Sequence, residues 1–260
     1  MCLILVSYQQ HPFYPLIVAA NRDEFYERKT SPSQFWDDYP EIIAGRDLEG
    51  MGTWMGIHKS GKIGMVTNYR DLSQIKSNAP SRGKLVLDFL ANGDLPSTYL
   101  MGLEKRAKEY NGFNLLVGYP EDLWYGSNYG KGFQKIEPGI HGLSNHLLNT
   151  PWPKVMRGKN KFKELLDAER VDPASLLDML YDEGMAPDDL LPETGVGIEW
   201  ERKLSSIFIK SSGYGSRSST VFMIDHQNTV KYIERNYHLE DYSYQDRLFE
   251  FKINLPSGHQ

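Results

Sequence analysis

Short, wholly apolar runs alternate with short polar clusters along this chain. Residues 3–6 are apolar throughout and rich in branched side chains, the pattern of a strand buried on both faces. Residues 9–15 carry two prolines and read as a turn, and 16–20 form a second apolar run, so the two runs predict a hairpin. Residues 27–38, polar and aromatic with Pro32, read as an irregular loop. A short strand is expected at 42–45, and a second hairpin joins 53–58 to 63–68 around Ser60-Gly61. The period then changes. Leu85, Val86, Phe89 and Leu90 share one face of a helix over 84–91, stopped by Asn92-Gly93, and Pro96 opens a second helix over 96–110. Strands return at 113–118, 123–126, 133–136 and 140–145. Two helices follow, over 151–168 with Val155, Phe162, Leu165 and Leu166 inward, and over 173–181. Residues 185–197 are a Pro/Gly/Asp-rich connection; 219–225 and 229–237 form a late hairpin, and 249–253 an edge strand.

Strands, helices, strands, helices, strands is a segregated order. It points to an α+β fold rather than to alternating βαβ units. Two antiparallel sheets, each covered outside by helices, give a four-layer αββα sandwich. No repeat or linker divides the chain, so 1–260 reads as one domain. At 40% hydrophobic and 24% charged residues the chain can bury a large core. No apolar run approaches the roughly 20 residues that cross a bilayer. The first residues are too short an apolar stretch for a secretory signal, so a cytoplasmic protein without a membrane span is expected. A net charge of −5, with no basic block interleaved with aromatics, argues against a nucleic-acid partner. One cysteine excludes an internal disulfide and a multi-cysteine zinc site. No metal and no cofactor is expected.

That cysteine is Cys2. Methionine aminopeptidase removes Met1 before a small side chain, which would leave a thiol and a free α-amine on one residue at the head of a core strand. The amine titrates near about 7.7–8.0 and the thiol near about 8.5, so one can deprotonate the other. This is a nucleophile with its own base. Antiparallel pairing of the first hairpin brings Cys2 beside Asn21-Arg22-Asp23-Glu24. Further polar clusters close other strands or turns: Asn68-Tyr69-Arg70, Ser144-Asn145 and the run Gly215 to Thr220. Amide hydrolysis by a thiol needs an acceptor for the amine, for which Asp23 is nearest. It needs donors facing the oxyanion, for which Asn68 and Asn145 are suitable amides. A cation favouring thiolate can come from Arg217 or Arg22. Asn21, Arg22 and Asn68 are the expected contacts to a small-molecule substrate.

Several motifs together resemble the NRDE family, also called the transport-and-Golgi-organisation protein 2 family. They are Met1-Cys2, Asn21-Arg22-Asp23-Glu24, Gly52-Thr53-Trp54, Thr67-Asn68-Tyr69-Arg70-Asp71, Gly142-Leu143-Ser144-Asn145, Thr150-Pro151-Trp152-Pro153-Lys154 and Ser216-Arg217-Ser218-Ser219-Thr220. The family is similar to the N-terminal-nucleophile hydrolases, with bile-salt hydrolases and penicillin V acylases as analogues. The resemblance implies Cys2 as nucleophile, Asp23 beside the amine, Asn145 in an oxyanion hole, Arg217 beside the thiol, and Asn68 in the hairpin that supplies another donor. One position departs: Ala20 stands where those acylases carry an arginine. Eukaryotic family members are implicated in heme mobilisation and in lipid and Golgi homeostasis. The alternative to hydrolysis is therefore a heme- or lipid-related binding or trafficking protein, with His58, His141, His146 or Cys2 as contacts to heme iron.

Overall fold

The computed structural model describes residues 2–167 and 171–255. The first hairpin forms as expected from β1 (Cys2–Tyr8) and β2 (Leu16–Phe25), antiparallel from Tyr8↔Leu16 to Cys2↔Arg22. The chain then crosses to a second sheet and lays down β3 (Thr30–Phe35), β4 (Ile42–Asp47), β5 (Met55–His58) and β6 (Ile63–Asn68). Helices α1 (Gly83–Ala91) and α2 (Pro96–Glu104) follow, then β7 (Phe113–Tyr119), β8 (Asp122–Ser127) and β9 (Gly132–Lys135). Back in the first sheet come β10 (Gly139–Leu143), helices α3 (Pro153–Leu166), α4 (Pro173–Leu180) and α5 (Ile198–Leu204), and β11 (Lys210–Ser211). β12 (Tyr214–Ile224), β13 (Thr229–Tyr237) and β14 (Tyr244–Lys252) complete it. The first sheet runs β10-β1-β2-β12-β13-β14 with β11 against β12, and the second β3-β4-β5-β6-β7-β8-β9.

The period of two along each strand assigns the layers. Ile4, Val6, Val18 and Ala20 meet Ile57, Met65 and Leu116 between the sheets. Leu3, Leu5, Ile17 and Ala19 face outward onto Val155, Phe162, Leu176 and Leu180 of α3 and α4. On the far side Ala44, Leu115 and Val117 pack under Leu85, Phe89 and Leu100 of α1 and α2. This is the αββα order. It also explains why 3–6 and 16–20 are continuously apolar: with both faces covered, no position faces water. Each fully buried Leu or Ile there contributes roughly 1.5–3 kcal/mol.

Three expectations need correction. Residues 27–38 are not all loop, because β3 runs along the edge of the second sheet. Pro32 is tolerated there: the register shifts between Ser31 and Gln34, so the proline faces no ladder acceptor. β2 does not stop at Ala20. It continues through Asn21-Arg22-Asp23 to Phe25, since β1 and β12 flank it on both sides. The helix expected over 96–110 ends at Glu104, with a separate 3-10 turn over Ala107–Glu109. One further element, α5, carried no expectation; it lies just beyond the connection at 185–197, and its buried residues are Glu201 and Leu204. The expected end of the α3 helix, residue 168, lies outside the described residues.

Candidate active-site pocket

Cys2 opens β1 and pairs with Arg22 across the hairpin. Its side chain lies on the face turned toward the second sheet, against Arg22, Trp54, Met55 and Val66. Burial pushes the thiol up from its ordinary range, and the Asp23 charge adds to this; the Asp23 backbone N–H and the Arg22 guanidinium oppose it. Arg22 is 6% exposed and lies over the Trp54 ring at 4.2 Å, with Glu24 at 3.8 Å.

One residue along β2, Asp23 points to the opposite face, into the layer of α3 and α4. Its Oδ1 accepts a 2.6 Å hydrogen bond from Ser216 Oγ, and Lys154 Nζ of α3 stands 4.0 Å from Oδ2. Both Asp23 and Lys154 are 1% exposed. Burial raises the Asp23 carboxyl and lowers the Lys154 amine, each opposed by the other's charge.

Hydrogen bonds clamp the ends of β1, β6 and β10 together. Asn145 Nδ2 donates to the Asn68 carbonyl at 2.8 Å, the Arg70 amide to the Asn145 carbonyl at 2.8 Å, and Thr67 Oγ1 to the Ser144 carbonyl at 2.6 Å. Ser144 Oγ donates to the Cys2 carbonyl at 3.0 Å. Three distant segments thus meet at one end of the sandwich.

A cavity in two adjoining lobes opens there. The first, about 500 Å³, is lined mainly by apolar side chains, among them Leu72, Ile75, Val196 and Trp200, with Asn145 at its floor. The second, about 460 Å³, is polar and holds Cys2 with Arg22, Arg28, Asp47 and Ser81. Asn68, Arg82, Glu24, Phe25 and Asn111 line both. A thiol and amide side chains on a cavity of this size can meet a small carbonyl compound.

Not every expected residue reaches the cavity. The Asn21 amide points the other way, donating to the carbonyls of Leu180 and Ile207 at 2.8 and 2.9 Å while its oxygen accepts from Ser219 Oγ at 2.6 Å. It fastens the sheet to the helical layer, so a substrate contact from this side chain is not what the geometry offers. Arg217 sits on the bulge of β12 between Ser216 and Ser218 and donates to the carbonyls of Phe25 (3.1 Å) and Arg28. It lines neither lobe; of the two arginines considered for the thiol, Arg22 is the one paired with Cys2. Four residues of the site were not among the expected ones: Lys154 and Ser216, which hold Asp23, Arg82, which lines both lobes, and Tyr214, which lines the first. Lys154 and Ser216 had a signal, since each stands in a motif quoted above. Arg82 and Tyr214 had none.

The histidines named for heme are engaged elsewhere. His58 Nδ1 is 2.8 Å from Ser60 Oγ, His141 Nε2 2.8 Å from the Glu137 carbonyl, and His146 Nε2 2.9 Å from Tyr69 OH. None lines either lobe. Among the described residues no group of three His, Cys, Asp or Glu side chains is placed to hold a metal ion, and no helix is long and apolar enough to cross a membrane.

Comparison with known proteins agrees with this architecture. A conjugated bile acid hydrolase mutant from Clostridium perfringens superposes with a TM-score of 0.52 at 8% identity, covering 98% of this chain and 97% of its own, a likeness of fold. The Transport and Golgi organization protein 2 homolog of Homo sapiens is 34% identical over 278 residues, covering 97% of this chain and 99% of its own. Transport and Golgi organization protein 2 of Drosophila melanogaster is 29% identical over 261 residues, covering 90% and 91%. The family model described as Transport and Golgi organisation 2 matches residues 1–239. With its motifs gathered at one end of an αββα sandwich, the chain belongs to the Transport and Golgi organisation 2 family.

Proposed function

We propose that the chain is an N-terminal-cysteine amidohydrolase cleaving a linear, non-peptide C–N bond of a small molecule, with Cys2 freed by removal of Met1. The observation that carries this reading is the place of the chain's one cysteine: at the head of a central strand and open to a cavity walled by Asn68 and Arg22. The α-amine takes the thiol proton, and Sγ attacks the carbonyl carbon. The Asn68 amide faces the oxyanion, and Asn145, hydrogen-bonded to the Asn68 carbonyl, fixes that strand end and adds a polar group to the first lobe. Collapse breaks the C–N bond, and the proton leaves with the amine. Water then hydrolyses the thioester to a carboxylic acid and restores the thiol. Asp23, held by Ser216 and Lys154, orients the α-amine, and the Arg22 charge offsets the burial that disfavours thiolate. Arg217 supports the site at one remove by securing the carbonyls of Phe25 and Arg28 where β2 ends. The reading places the protein in the cytoplasm, where the aminopeptidase acts.

One observation favours a second reading, a protein that holds a heme or lipid without turnover: the apolar rim of the first lobe is exposed, Leu72 at 50% and Ile75 at 65%. A thiol-directed activity probe separates the two, with Cys2→Ala as control, intact mass for processing and a visible spectrum for bound heme. Hydrolysis predicts a chain starting at Cys2 and probe capture lost in Cys2→Ala. A native chain that keeps Met1, with a thiol no faster than free cysteine, would overturn it.

A further inference from the structure

We infer that Arg82 is an anion anchor, and that the site takes an N-acyl amino acid: an apolar acyl chain in the first lobe and a carboxylate on the amine side held by Arg82 in the second. The orientation of the chain rests on the hydrolase reading above; the recognition itself does not.

The first lobe selects an apolar group. Phe25, Leu72, Ile75 and Trp200 are 62, 50, 65 and 38% exposed and all line this one cavity. Large apolar side chains gathered at one opening mark a ligand site more often than chance exposure. Its volume of about 500 Å³ is roughly that of a dozen or more water-sized groups, enough for a medium-length acyl chain.

The second lobe selects an anion. Arg22 faces Glu24 at 3.8 Å and Arg28 faces Asp47 at 2.6 Å, so two of its three arginines already have carboxylates. Asp23 is matched on the helical side by Lys154. Arg82 makes no ion pair among the described residues; its hydrogen bond is to the Gly112 carbonyl at 3.0 Å, through one of five N–H donors. Glu24 is its nearest acidic influence and is shared with Arg22 and Arg28. Arg82 is therefore the one arginine of this lobe without a carboxylate partner among the described residues, and it lines both lobes where they join. Burial lowers the Arg82 pKa, a cost that a bound carboxylate would offset.

The order of the halves follows from the chemistry. After acyl transfer to Cys2 the acyl group stays while the amine leaves and water enters. Water enters a polar lobe more readily than an apolar one, so the amine half belongs beside Arg82 and the acyl half in the first lobe.

The test is calorimetric binding to full-length Cys2→Ala protein, which cannot turn over. The ligands are N-dodecanoylglycine, neutral N-dodecanoylethanolamine and chain-free N-acetylglycine, each below its micelle concentration. N-dodecanoylglycine should bind at least about tenfold more tightly than either, a charge-assisted hydrogen bond's worth. Adding Arg82→Gln should erase the preference over the ethanolamide, weakening the glycine conjugate far more than the ethanolamide. Should that variant not fold, protection of Cys2 in the wild-type protein from iodoacetamide gives the same comparison, and only the glycine conjugate's protection should weaken with salt. Equal affinity for the neutral and anionic amides, tight binding of N-acetylglycine, a preference that survives Arg82→Gln, or no binding would overturn the inference. Preferential binding with no glycine released by wild-type protein leaves the anchor standing and removes the hydrolase reading. Turnover of neutral amides alone does the reverse.

Discussion

Replacing Lys154 with Met keeps the length of the aliphatic stem and deletes one buried charge. Lys154 Nζ lies 4.0 Å from Asp23 Oδ2, and both residues are 1% exposed. At an effective dielectric constant of about 20, two unit charges at this distance attract by about 4 kcal/mol. Breaking a buried pair from one side costs about 3–5 kcal/mol, because the remaining charge stays in a low-dielectric site. The expected loss for Lys154→Met is therefore about 3–5 kcal/mol at pH 8, moderated by the hydrogen bond from Ser216 to Asp23. The loss must depend on pH. Burial already raises the Asp23 carboxyl, and removing Lys154 raises it further. A carboxyl with a folded pKa above its unfolded value holds its proton longer when folded, so stability falls as pH rises between those two values. The variant should thus lie closest to wild type near pH 4–5, where Asp23 can be neutral, and furthest from it at pH 8. Urea unfolding across this range measures it, and Asp23→Asn added to Lys154→Met should recover part of the loss. A loss below about 1 kcal/mol at pH 8, or one of the same size at every pH, would refute the coupling of these two groups.

Three further outcomes are expected. Intact mass of native protein should show a chain beginning at Cys2, with its thiol alkylated by iodoacetamide at neutral pH faster than free cysteine; a bulky residue inserted between Met1 and Cys2 should abolish turnover with the fold retained. Arg70→Ala removes the buried pair with Glu201, 2.8 Å long with side chains 4 and 5% exposed, and should cost about 3–5 kcal/mol. Deuterium uptake should rise over 194–204, because Glu201 also accepts from Thr194 N and Oγ1; unchanged exchange there would contradict the clamp. Gly52→Ala drives a Cβ into the Gly83 carbonyl group, backbone against backbone, so it should destabilise by about 1–3 kcal/mol and lower the melting temperature; an unchanged melting temperature would show that this approach relaxes freely.

The amino-acid sequence by itself determined the layers and the place of the reactive group. Continuous apolar runs at 3–6 and 16–20 had to be central strands, because a strand covered on both faces leaves no polar position in its pattern. A two-proline turn between them made a hairpin, and antiparallel pairing alone set Cys2 beside Arg22. The helix faces of α1 and α3 were readable from their period. Tertiary structure decided what carries no period. β3 is a strand because β4 offers an edge, and its Pro32 argues locally for a loop. α5 buries Glu201 because Arg70, far away in sequence, reaches it. Within the Asn-Arg-Asp cluster the motif fixed the residue types, while alternation along β2 sent the Arg22 side chain toward the second sheet and the Asn21 and Asp23 side chains to the helical side, where Asp23 still borders the second lobe. The partners of those buried polar groups lie on β12, α3, α4 and the segment before β11. A hydrogen bond or ion pair made across more than a hundred residues depends on where two backbones come to rest, and local sequence leaves no trace of that.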